Sequence, residues 1–260
     1  MFKLSKRKRF IITAVILTLG LLAIQLFGIT WRYQAIAVLS VLTYLLSAWS
    51  LSEGINGVEW FTVLILPVLF TIGVGLFYFL TPALWATRVP VIILYAGGLY
   101  SLLLTENIFS VAAIRTIQLL RSAHAVSFLL SLATGFFIYN AILSFRQDFW
   151  INFLLVFALS LPLVLQGLWC IELDAAKISR KIWLYSLGIS LGLGEIALVF
   201  AFWPVTVVVG SLSLITGLYI ALGLGQHYLT ERLFRRTVVE YLAVGIVVLF
   251  VVLITTHWGG

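Results

Sequence analysis

The chain has 260 residues, of which 63% are apolar before its 20 glycines are counted, and only 10% are charged. Soluble domains run at about 45–50% apolar with glycine included and about 25% charged, so this composition lacks the polar surface to cover a water-soluble particle. The formal charge of +7 comes from 16 Lys and Arg in short clusters, a pattern that sets membrane topology and excludes a nucleic-acid-binding tail.

A helix of about 20 residues crosses a bilayer, and mostly apolar windows follow one another along the chain. The first, 10–29, is preceded by Lys3, Lys6, Arg7, Lys8 and Arg9. It exceeds the usual 7–15 residues of a signal-peptide core and lacks an A-x-A cleavage pattern, so it reads as an uncleaved anchor. Windows 35–51 and 60–80 come next, separated by a segment with Glu53, the turn dipeptide Asn56-Gly57 and Glu59. Two carboxylates there could hold a cation or an amine, but a tight solvated turn is the simpler reading.

The fourth window, 89–104, is the shortest and contains Gly97 and Gly98 between Tyr95 and Tyr100. Residues 107–121 then repeat apolar positions with a helical period, with Arg115, Gln118 and Ser122 on one face. This segment is expected to lie in the interface or to extend the fifth span. Arg115 and Arg121 would reach lipid headgroups, as binders of phosphate or by ordinary snorkelling. The remaining windows are 123–145, 149–169, 182–202, 205–226 and 241–257. Glu231 with Arg235, and Arg236 with Glu240, are spaced to support exposed helix between the last two.

Cytoplasmic loops retain Lys and Arg. With nine spans and the N-terminus inside, thirteen of the 16 basic residues fall inside, and only Arg32, Arg88 and Arg146 outside. Treating the fourth window as re-entrant would leave six inside and ten outside, so it is read as a span. All nine tryptophans lie near window edges, Trp31, Trp85, Trp150, Trp203 and Trp258 on the outer side and Trp49, Trp60, Trp169 and Trp183 on the inner, where amphipathic rings meet headgroups. The expectation is one all-α integral membrane domain over 1–260, N-in and C-out in a plasma membrane, with no soluble domain.

Glu195 is the only charge well inside a window, and an intramembrane acid is a functional candidate by default. Gly188 and Gly192 share its face and offer a small-residue stripe for close helix approach. Ser160, Ser213 and Ser211 lie at similar depth, with Asn140 nearer the outer edge. Glu195 suits a proton or cation carrier, with Ser213, Ser160 and Asn140 as further ligands and the glycines of spans four and seven breaking a cavity open. It equally suits a neutral acid bonded to a serine of the eighth span.

Metal and nucleotide motifs and paired cysteines are absent from the sequence. Cys170 is the single cysteine, and His124, His227 and His257 fall at different ends of different spans. No catalytic residue, metal or cofactor is assigned. The segment from Glu106 to Arg121 resembles one found in uncharacterised multi-span membrane proteins of bacteria, a resemblance that implies no activity. Three functions remain open. They are a transporter-like bundle first, then a structural or assembly subunit with a membrane-protein partner, then a lipid-processing enzyme.

Overall fold

The computed structural model describes residues 5–24, 31–81, 85–113, 118–174 and 176–256. Among them are nine α-helices and no strand: α1 (Lys6–Ile24), α2 (Arg32–Leu51), α3 (Glu59–Leu80), α4 (Trp85–Ala112), α5 (Leu120–Ser144), α6 (Phe149–Glu172), α7 (Arg180–Phe202), α8 (Val207–Leu229) and α9 (Arg235–Thr255). Helix satisfies every backbone polar group within its own segment, which a chain in hydrocarbon requires. Eight helices, α2 to α9, are long and apolar enough to cross a membrane. The chain is therefore a polytopic, all-α membrane protein. In α1, Lys6, Arg7, Lys8 and Arg9 occupy the first turn and shorten the apolar part. The last residues of the first expected span, and Pro82, Arg115, His257 and Trp258, lie outside the described residues.

Two helices differ from expectation. Helix α4 runs unbroken for 28 residues, about 42 Å at 1.5 Å per residue and so longer than the hydrocarbon core. Residues 107–112 are its last turns, and Leu120 and Arg121 already belong to α5, so the expected segment 107–121 is not a separate helix within the described residues. Gly97 and Gly98 do not break α4 either. A Cβ on Gly98 would stand 2.6 Å from Cζ of Phe70, whereas one on Gly97 would meet nothing within 4 Å. Gly98 thus lets the Phe70 ring against α4.

The second correction concerns α7, where a Cβ on Gly188 or Gly192 would meet nothing within 4 Å. The packed row is Ser186, Ser190, Gly194 and Ala197, all buried. At Gly194 a Cβ would sit 3.3 Å from the Phe153 carbonyl oxygen of α6. Small residues every fourth position draw helices together whether they are glycine or serine, and here the serine-led row does so.

Contacts divide the chain into two compact units, residues 1–134 with 173–177 and residues 135–172 with 178–260. In the first, α1 to α4 bring Leu17, Leu21, Ile36, Leu66, Phe70 and Leu102 into the core. In the second, α6, α7 and α8 pack together and α9 lies against α8. Val252 is the buried residue of α9, so that helix is peripheral within its unit. Trp169, near the end of α6, is fully buried in the second unit, while Trp31, Trp49, Trp60, Trp150 and Trp183 are exposed.

Candidate functional site

The polar residues singled out from the sequence separate into three places in the second unit. Glu195 and Ser213 line one groove of about 470 Å³ between α7, α8 and α9, together with Thr216, Gly192, Gly217 and Gly245. Glu195 is exposed there, so it faces outward from its unit rather than into a packed interior. Ser213 donates to the Val209 carbonyl of its own helix, 2.8 Å away. At one end of the groove, Trp203 Nε1 donates to Thr256 Oγ1 at 2.8 Å and ties the end of α7 to that of α9.

Ser160 and Asn140 are elsewhere. Ser160 Oγ lies 2.7 Å from the buried Tyr139 hydroxyl, and Asn140 Nδ2 donates to Ser211 Oγ at 3.4 Å. These bonds link α5 to α6 and α5 to α8 as interhelical glue. Arg121 is exposed at the start of α5. Among the described residues no three His, Cys, Asp or Glu side chains are close enough to hold a metal ion.

The strongest concentration of buried charge among the described residues is in the first unit; the sequence marked Glu59, beside Glu53, as a possible cation holder, but neither its burial nor Glu106. Glu59 and Glu106 are both fully buried, and Arg9 is nearly so. The segment before α3 is a turn, as expected, with Gly57 at φ 53°. Glu59 is nonetheless not solvated. Its Oε2 accepts the Asn56 N–H at 2.9 Å, which satisfies a donor at the helix start. Its Oε1 has no hydrogen-bond partner among the described residues. Around this end, Arg9 pairs with Glu53 and lies 6.0 Å from the Trp49 ring centroid, while Lys6 Nζ donates to Asn107 Oδ1 at 3.5 Å.

The register of α3 against α4 brings the two buried acids level. Phe70 of α3 stacks on Tyr95 of α4 with ring centroids 5.8 Å apart. Glu59 lies eleven residues before Phe70, and Glu106 eleven residues after Tyr95. Eleven residues are close to three turns, about 16 Å. Because the helices are antiparallel, both steps lead toward the same end and return to the same strips, so Glu59 and Glu106 occupy facing strips at one level.

Above them runs a column of buried hydroxyls. Ser40, Thr43, Ser47 and Ser50 occupy one face of α2, with Thr62 and Thr71 on α3. The Thr43 and Thr71 hydroxyls are 3.1 Å apart, and Thr71 and Tyr95 are 3.0 Å apart. Ser47 Oγ and the Tyr78 hydroxyl are buried and lack hydrogen-bond partners among the described residues. The spacing i, i+3, i+7, i+10 of the α2 hydroxyls is a helical-face signal that the sequence displays.

The profile of a family described as Protein of unknown function (DUF5656) matches residues 13–255, so the chain belongs to that family. No curated protein and no solved structure matches the chain.

Proposed function

We propose that this DUF5656 member is a transporter-like protein that takes up a proton or a small monovalent cation at Glu59 and Glu106. The observation that carries this reading is the placement of both buried acids on facing strips of α3 and α4, at the foot of the α2–α3 hydroxyl column. Burying an ionised carboxylate costs several kcal/mol unless it is compensated, and two buried carboxylates at one level of adjacent helices favour uptake of a proton or a cation. The unpartnered Oε1 of Glu59 supplies an acceptor that a hydrated or partly dehydrated ion needs. By the Lys and Arg count, this end faces the cytoplasm of a plasma membrane.

This reading moves the carrier role from Glu195, which lies in an outward-facing groove, to acids enclosed by α1 to α4. It is tested with the purified chain in sealed phosphatidylcholine–phosphatidylglycerol vesicles, with a potential imposed across the membrane. Internal dyes read H⁺, Na⁺ and K⁺ separately. Uptake of one of these ions well above protein-free vesicles is expected, and identical traces for all three would overturn the reading.

A further inference from the structure

The groove of the second unit presents a different chemistry. Glu195 sits in it beside Ser213 and Thr216, and its walls are otherwise glycines, the rings of Phe200 and Trp203, and aliphatic side chains from α7, α8 and α9. The acid has no hydrogen bond or ion pair among the described residues. Its helix presents open space at Gly192 and Gly188, one and two turns toward the start of α7. Glu195 is eight residues before Trp203, so it lies about 12 Å from that helix end, at hydrocarbon depth where lipid offers no counter-charge. The tie between Trp203 and Thr256 closes one end of the groove to a headgroup reaching inward.

We infer that the α7–α8–α9 groove receives a transmembrane helix of another membrane protein, one that carries Lys or Arg near mid-depth to pair with Glu195. Charge complementarity selects this occupant. A carboxylate facing hydrocarbon is costly, and intramembrane charges pair with one another. The missing side chains at Gly188 and Gly192 allow a helix backbone to come close. A second copy of this chain is a poor match, because the basic residues of α2 to α9 stand in the first turns of their helices or in the connections. None is offered at the depth of Glu195.

The test uses the full chain in vesicles, with energy transfer to synthetic polyleucine helices bearing Lys, Leu or Glu at the centre. The Lys helix is expected to associate at least about tenfold more tightly than the Leu helix. Glu195→Gln should remove most of that preference, and Glu195→Asp should keep part of it. Gly192→Leu fills the groove at a position with no neighbour within 4 Å, so it should abolish association while the unfolding temperature stays unchanged. Equal binding of the Lys and Leu helices would overturn the inference. So would self-association of the wild-type chain that Glu195→Gln abolishes, since the occupant would then be a second copy. Ion uptake through the first unit is read separately, so either proposal can fail alone.

Discussion

Glu59→Gln is expected to lower ion uptake into vesicles at least about tenfold while leaving the chain folded. Glutamine keeps the shape of the side chain and an oxygen that can accept the Asn56 N–H, the bond seen at 2.9 Å. What it loses is the ability to take up a proton or to neutralise a cation. Because Glu59 is fully buried, removing its charge should hold or raise the unfolding temperature, since a buried carboxylate is costly to desolvate. Glu106→Gln should reduce uptake similarly, as the acid on the facing strip. Glu53→Gln serves as the control. Its side chain is 54% exposed, apart from the buried acids, so uptake should change little, whereas the unfolding temperature should fall because its mostly buried partner Arg9 loses its counter-charge. Equal loss in all three variants would point to a general requirement for acidic charge at this end and against a specific site.

The second large effect separates two adjacent glycines. Gly98→Leu should lower the unfolding temperature by several degrees, because overpacking a tight core costs about 1–3 kcal/mol. The Phe70 ring cannot easily yield. It is 3% exposed, stacks on Tyr95, and Tyr95 is held to Thr71 at 3.0 Å. Gly97→Leu, where a Cβ meets nothing within 4 Å, should be neutral or slightly stabilising, since replacing a helical glycine gains up to about 1 kcal/mol. Thermal unfolding in detergent followed by circular dichroism distinguishes them. Similar destabilisation of both would mean that Gly98 is not the point where Phe70 meets α4.

The helices were legible because hydropathy at bilayer length is a strong signal, and the eight apolar helices α2 to α9 follow it. The end of α4 was not legible for the same reason. Thr105 and Glu106 end the apolar window, yet both are buried, and hydropathy cannot distinguish a buried acid from a loop. Glu195 stood out because its neighbours are apolar, although what decides its surroundings is which face of α7 packs. Two small-residue rows compete on that helix. The glycine pair Gly188 and Gly192 drew attention in the sequence, while Ser186, Ser190 and Gly194 form the buried face. The common level of Glu59 and Glu106 depends on the α3–α4 register, set by Phe70 and Tyr95 far along the helices, and no local pattern encodes it. The hydroxyl face of α2 could have been read directly from its spacing, and it would have drawn attention to the first unit.

The central claim is that Glu59 holds an exchangeable proton or cation, and infrared difference spectroscopy of the wild-type chain in vesicles tests it most directly. Steps in pH, and additions of Na⁺ or K⁺, should change the carboxyl stretching bands of a buried acid, and that change should vanish in Glu59→Gln. A carboxyl signal that stays constant through every step, or one that persists undiminished in Glu59→Gln, would contradict the account.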